Sequence, residues 1–275
     1  MNYQIRILED IGDAKPGEWN ALGVEAHPFL RHEFLHALEQ MGCLGERYGW
    51  LPRHISVRDD RGELLAAAPL YLKFNSYGEF VFDWSWADAY RRNGLEYYPK
   101  LVSASPYTPA TGPKLLLRPG APETLREVVE QTAMELAKAS HCSSLHWLFT
   151  PQAETDWLES QGYMRRSGCQ FHWHNRGWRD FDDFLASLSH AKRKSIRRER
   201  RRTREDGISF RWLDGPRELI NSQTHPSPIV FGFLQAIHNC FSNTSFCNGF
   251  SNNQIDLRII FQAVHSSKKI HGIIA

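Results

Sequence analysis

The sequence is poor in several features that would narrow its function quickly. Its 275 residues hold only five cysteines, Cys43, Cys142, Cys169, Cys240 and Cys247, odd in number and scattered. No CxxC pair occurs, which argues against a disulfide framework and a structural zinc site and favours buried or idle thiols. No apolar run approaches the roughly 20 residues of a membrane helix, and the mean hydropathy of −0.48 agrees. The opening MNYQIRILED lacks the apolar core of a secretory signal, so the expected compartment is the cytoplasm. Net charge is also nearly absent. Thirty-three Lys+Arg against 31 Asp+Glu give +2, which by itself implies no polyanionic partner. GxSxG, P-loop and HExxH motifs are missing. The nearest approach to a pyrophosphate-cradling R-x-x-G-x-G/A loop is Arg91-Arg-Asn-Gly94-Leu-Glu96, whose last position lacks the small residue a phosphate needs.

What is present is core material: 41% hydrophobic and 12% aromatic residues, enough for one large domain or two ordinary ones. Tyr3 to Leu8 alternates like an edge strand, and Glu33 to Met41 reads as a short amphipathic helix. His54 to Val57 and Leu64 to Tyr71 are strand-like runs joined by the turn signal Asp59-Asp-Arg-Gly62. Phe80 to Trp86 is aromatic and compact; Lys114 to Leu117 is strand-like. Pro122 to Ser140 then takes helical spacing, Ser144 to Phe149 reads as a buried strand, Glu154 to Gln161 as a helix closed by Gly162, and Gln170 to His174 as a strand. This order suits a small mixed sheet covered by helices, an α/β (mixed α+β) class.

Asp180 opens a further helix, with Asp183 placed for a capping box and Phe181, Phe184, Leu185 and Leu188 as its apolar stripe. Ser189 is the next cap, and the helix behind it is dense in charge. Residues 189–206 carry nine basic and three acidic side chains, a local +6, so the remainder sums to −4. Gly207 ends it, and Ile208 to Leu213 alternates as a strand. From Pro216 onward only six of the 60 residues are charged, while 13 of the 60 are Asn or Ser. The last residues, Lys269 to Ala275, read as a strand that stops without a cap, as in a truncated product.

Four constellations can carry chemistry. Like charges packed along Lys192 to Arg204 repel one another and attract anions, so Lys192, Arg193, Arg197 and Arg198 are candidate phosphate ligands; a solvated helix paired with acidic loops is the plain alternative. In Phe82-Asp-Trp-Ser-Trp-Ala-Asp-Ala-Tyr90, the carboxylates Asp83 and Asp88 sit among rings that would desolvate them and raise their pKa toward a general base. Trp84, Trp86 and Tyr90 would wall a substrate. Turn-capping carboxylates in a core are the alternative. The proline-rich segment Pro106 to Pro113 would present Tyr107, Thr108 and Thr111 as fixed donors, or be a plain loop. Gln170, His172 and His174 share one face of an alternating strand and suit a cleft wall; no third ligand accompanies the two histidines, so no metal is expected.

Several strings together resemble one family. They are His27-Pro-Phe-Leu-Arg-His-Glu-Phe-Leu35, Phe82 to Tyr90, Tyr97-Tyr-Pro-Lys-Leu101, Pro106 to Pro113, Gln170-Phe-His-Trp173 and Lys192-Arg-Lys-Ser-Ile-Arg-Arg-Glu-Arg200. They resemble the FemAB-like branch of the GNAT acyltransferase superfamily, whose bacterial members are described as peptidoglycan biosynthesis or recognition proteins. The resemblance implies a twin GNAT-like fold, divided here into a first GNAT-like domain over 1–179, basic connecting helices over 180–206 and the start of a second domain over 207–275. It implies an N-acyltransferase moving an acyl or aminoacyl group to a small-molecule or peptide amine acceptor. The donor would be acyl-CoA or aminoacyl-tRNA, with tRNA a possible partner and no tightly bound cofactor. Asp83 or Asp88 would assist deprotonation of the amine, and the basic helix would hold the donor's phosphates. The alternatives are a non-catalytic GNAT-like module for an anionic ligand and RNA binding through the basic helix.

Overall fold

The structure, a computed structural model, describes residues 2–81, 83–168, 174–207 and 257–263. Two compact units divide it: 1–170 with 226–275, and 171–225.

In the first unit the chain runs β1 (Gln4–Leu8), α1 (Pro16–Asn20), α2 (His32–Gln40), β2 (Trp50–Pro52), β3 (His54–Arg58), β4 (Leu64–Ala68) and β5 (Leu70–Lys73). It continues through α3 (Trp84–Arg92), β6 (Lys100–Ser103), β7 (Leu116–Leu117), α4 (Leu125–Ala139), β8 (Ser144–Leu148), α5 (Gln152–Ser160) and β9 (Met164–Gly168). One sheet has the order β1-β3-β4-β7. The other has the order β2-β5-β6-β8-β10-β9, where β10 is Leu257–Ala263. The pairing is antiparallel except between β6 and β8, which run parallel with Val102 opposite His146. A crossover through β7 and α4 makes that geometry possible. The mixed α/β expectation is borne out.

The apolar run at β4 follows from burial on both faces. Ala66 and Ala68 pack with Leu125, Val129, Ala133 and Ala137 of α4, whose spacing puts them on one stripe. Leu64 and Ala67 pack with Trp19, Phe34, Leu35 and Leu38 under α1 and α2. The predicted turn at Asp59–Gly62 closes through Gly62 N–H to Asp59 O, with the Asp59 carboxylate accepting from Arg61 and Glu63 N–H.

Six elements lie where the sequence reading places none: α1, β2, α3, β6, β9 and β10. Helix α3 begins inside the segment read only as aromatic, Phe80 to Trp86, and runs on to Arg92. Its cap residue Asp83 does not bond the helix N-terminus; its carboxylate is turned elsewhere, so the usual start signal is absent. Strand β10 lies between β8 and β9, with Ile260 opposite both Trp147 and Arg165. The strands read at Gln170 to His174, Ile208 to Leu213 and Lys269 to Ala275 fall on residues outside the described ones, apart from His174, which lies in no strand.

The second unit contains α6 (Phe181–Ala186) and α7 (His190–Glu205). Asp180 caps α6 by accepting from Asp183 N–H at 2.8 Å. Ser189 stands at the N-cap of α7, and Gly207 follows it at φ 72°, a left-handed exit that suits glycine. No helix among the described residues is long and apolar enough to cross a membrane.

Candidate functional site

Lys100, the first residue of β6, is fully buried. Its ammonium donates to Asp83 Oδ2 at 2.6 Å, Glu79 Oε2 at 2.7 Å and Ser76 Oγ at 3.1 Å. Lys73 on β5 stands opposite Lys100 in the ladder, also fully buried, with its ammonium 3.8 Å from the Trp50 ring centre and 3.9 Å from Glu79 Oε1. The Tyr97 hydroxyl donates to Asp83 Oδ2 at 2.6 Å, and the Tyr98 and Ser76 hydroxyls meet at 2.7 Å. Two lysines and two carboxylates thus balance inside the fold, the arrangement buried charge requires.

The electrostatics follow. Burial alone would raise the Asp83 carboxyl, but the Lys100 ammonium outweighs it and holds Asp83 below the usual carboxylate range. Burial raises Glu79, partly offset by Lys100. Lys100 is raised, because the two carboxylates overcome its desolvation. Lys73 has weaker compensation, and burial brings it down to about 7. His146, on β8, is pushed down to about 3 by burial and by the Lys100 charge, against the attraction of Asp83.

This corrects one expectation. The rings do bury Asp83, leaving it 1% exposed, but its pKa moves down because Lys100 sits beside it. Asp88 takes a different position. It is partly exposed on α3, and Arg91 and Arg92 both pair with it one turn on. Tyr90 is buried, its ring 5.1 Å from that of Tyr97 in an edge-to-face contact. Trp84 is 49% exposed and tilts toward Tyr77, and Trp86 is half-buried.

The proline-rich loop leaves the C-terminal end of β6. Tyr107 has a left-handed backbone at φ 57°, as does Phe149 at the end of β8, φ 56°. Such conformations cost bulky residues about 1–3 kcal/mol each and persist only where surroundings enforce them. Tyr107 N–H donates to Gly78 O and its hydroxyl to Cys43 O, while Gly112 N–H donates to Phe149 O. Gly78 allows the approach: at φ 78°, a Cβ there would lie 2.6 Å from the Tyr107 ring. The Thr108 hydroxyl is spent on Pro106 O, whereas the Thr111 hydroxyl is buried with no hydrogen-bond partner among the described residues. Gln170 and His172 lie outside the described residues.

In the second unit the four basic candidates divide. Arg193 donates to Leu188 O at 3.1 Å and Ala186 O at 3.3 Å, closing the end of α6. Arg197 lies 3.6 Å from Asp182. Lys192 and Arg198 are exposed and make no ion pair among the described residues.

Sequence reasoning did not single out Lys73, Glu79, Lys100 or His146. The quoted string Tyr97-Tyr-Pro-Lys100 contained one of them; nothing local marks a lysine as the buried partner of a carboxylate 17 residues away. Among the described residues no group of three His, Cys, Asp or Glu could hold a metal ion.

A model of the FemAB-like family, described as peptidoglycan biosynthesis/recognition, matches residues 10–249. No curated protein matches the sequence. Among solved structures, a tandem GNAT protein from the clavulanic acid biosynthesis pathway is similar at 14% identity and a TM-score of 0.41, over 72% of this chain and 64% of that one, so the match spans less than two thirds of that protein. A GNAT-family acetyltransferase from Staphylococcus aureus Mu50 is similar at 7% identity and 0.39, over 96% and 100% of the two chains. AtaT in complex with acetyl-methionyl-tRNAfMet is similar at 14% and 0.36, over 59% and 87%.

Proposed function

With 10–249 matched, the chain belongs to the FemAB-like family, and from that premise we propose that it is an N-acyltransferase that moves an acyl or aminoacyl group to an amine acceptor of the peptidoglycan-precursor kind. The family match is the observation that carries this reading.

The side chains divide the work. The Asp83–Lys100–Glu79 network is a positioning device: it anchors the start of α3, and so sets Trp84, Trp86 and Tyr90 as an aromatic wall. Of the two candidate carboxylates, Asp88 is the one solvent reaches, and it takes the proton as the amine nitrogen attacks the acyl carbonyl carbon. The bond from that carbon to the donor's sulfur or oxygen breaks, and the donor leaves as thiolate or alkoxide. Such a base contributes about 10²–10⁴-fold. Thr111, whose hydroxyl lacks a partner among the described residues, and Tyr107 bind the acceptor from the proline-rich loop, and Gln170 and His172 stay assigned to the cleft wall. Lys192 and Arg198 hold the donor's phosphates, whether acyl-CoA or aminoacyl-tRNA, while Arg193 serves the helix end and Arg197 its partner Asp182. The boundaries at 179 and 206 belong to the same proposal.

Mass spectrometry of amine acceptors, including muropeptide amines, incubated with the chain and either acyl-CoA or aminoacyl-tRNA tests the reading. An acceptor heavier by the acyl group is expected. No gain with either donor, while acceptor binding persists, favours the recognition role that the family description also covers and removes the enzyme.

A further inference from the structure

A third fully buried lysine, Lys114, lies outside the network of Lys73 and Lys100, where the proline-rich loop ends. Its two ends are held separately. The ammonium donates to the carbonyl of Gly112 at 2.7 Å and to that of Phe149 at 3.5 Å. The backbone is held by Glu154, in the first turn of α5, whose carboxylate accepts from Lys114 N–H at 2.9 and 3.1 Å and from Leu115 N–H at 3.3 Å. Gly112 N–H donates to the same Phe149 carbonyl at 3.0 Å. The loop that leaves β6 is thereby tied to the end of β8, its parallel neighbour, one residue from Thr111. The string that begins at His27 stands against the same point. A Cβ on Gly112 would lie 3.0 Å from Leu30 Cδ1 and 3.1 Å from His27 Nδ1, so glycine lets the loop close there. Burial and the Lys114 charge together hold His27 below the ordinary histidine range.

Stability alone does not call for this arrangement. Apolar side chains of similar volume commonly replace a buried pair of charges without loss. Burial draws Lys114 below the usual lysine range, and Glu154, taken up by backbone N–H groups, offsets this only in part. The Phe149 carbonyl that the ammonium holds belongs to a buried residue in the left-handed region, φ 56°. A buried charge committed to an irregular backbone fixes geometry. The residue it fixes is Thr111, whose hydroxyl is buried with no hydrogen-bond partner among the described residues. We propose that Lys114 is a positioning residue: by holding the Gly112 and Phe149 carbonyls it presents the Thr111 hydroxyl to the acceptor. This rests on the acceptor-binding role proposed for the proline-rich loop.

The test uses the full chain with both charges removed together, Lys114→Met with Glu154→Gln, so that neither is stranded and glutamine still accepts from the backbone N–H groups. Hydrogen exchange followed by mass spectrometry reads the tie directly. Peptides covering 106–113 should exchange at least about tenfold faster than in the parent, with those covering β6 and β8 unchanged. Unchanged exchange in the loop overturns the assignment. So does exchange raised through β6 and β8 as well, the pattern of a residue that only supports the core. Calorimetric titration with a muropeptide amine, without donor, then reads the consequence. Thr111→Val should weaken binding about tenfold in the parent and by less than about twofold in the double variant, where the hydroxyl is no longer placed. Equal losses in the two backgrounds overturn the assignment. A parent that binds no muropeptide amine, with faster exchange still confined to the loop, removes the acceptor reading and upholds Lys114 as the tie of the loop.

Discussion

Lys100 and Arg198 carry the same formal charge under opposite conditions. Lys100 is sealed inside the first unit, held by two carboxylates and a hydroxyl at 3.1 Å or less. Arg198 stands in water on a helix with a local surplus of positive charge and no ion-pair partner among the described residues. A buried charge that lost its partner would face a low-dielectric interior, so its partners are fixed and its role is geometric. An exposed, uncompensated charge adds little to stability and remains available to a ligand. The contrast teaches that charge density in the sequence reports on recognition, whereas the charges that organise the fold are the isolated ones.

The largest effect is expected at Lys100. Lys100→Met strands Asp83 without its counter-charge and leaves Glu79 only the Lys73 ammonium at 3.9 Å, and should destabilise by about 3–5 kcal/mol in urea unfolding; a loss below about 1 kcal/mol would mean the network holds nothing together. Acid should come next. His146 is neutral in the fold down to about pH 3, whereas an unfolded histidine takes up a proton near 6.5. Between those values the unfolded chain binds more protons, so stability falls as pH falls, by a few kcal/mol across the window at about 1.4 per pH unit. His146→Gln should flatten that limb. Asp83 acts lower: its depressed pKa adds stability that is lost only as pH drops below about 3.8. An unchanged acid limb in the variant would show that His146 is not the group responsible.

Gly78→Ala tests the backbone that carries the loop beside the network. The added Cβ meets the Tyr107 ring at 2.6 Å from a left-handed backbone, and a loss of about 1–3 kcal/mol is expected in thermal unfolding. Alanine tolerated without loss would show that Tyr107 is not pinned there. The smallest effect belongs to the other side of the comparison. Lys192→Glu with Arg198→Glu should leave stability within about 0.5 kcal/mol of the parent while weakening salt-dependent binding of anionic ligands. A large stability loss would make α7 a structural helix and erase the distinction.

Local signals made much of the fold legible. The 3.6-residue stripe of α4, the Asp59–Gly62 turn, the Asp180 cap and the glycine after α7 each announce themselves within a few residues. Strand β10 did not, because its place is set by pairing with β8 and β9, about a hundred residues earlier in the chain. Helix α3 was hidden because Asp83 bonds Lys100 rather than its own helix. At the candidate site the sequence located Asp83, Tyr90 and Tyr107, but it gave the pKa of Asp83 the wrong direction. Rings near a carboxylate are visible in sequence; a lysine delivered by a neighbouring strand is not.

The central claim, that this chain transfers an acyl group with Asp88 as proton acceptor, is tested most directly by the transfer rate of Asp88→Asn beside the parent. The account predicts an acceptor acylated by the parent and a rate about 10²–10⁴-fold lower in the variant, with unfolding unchanged. Equal rates in the two proteins, or no acylated acceptor from the parent with either donor, would contradict it.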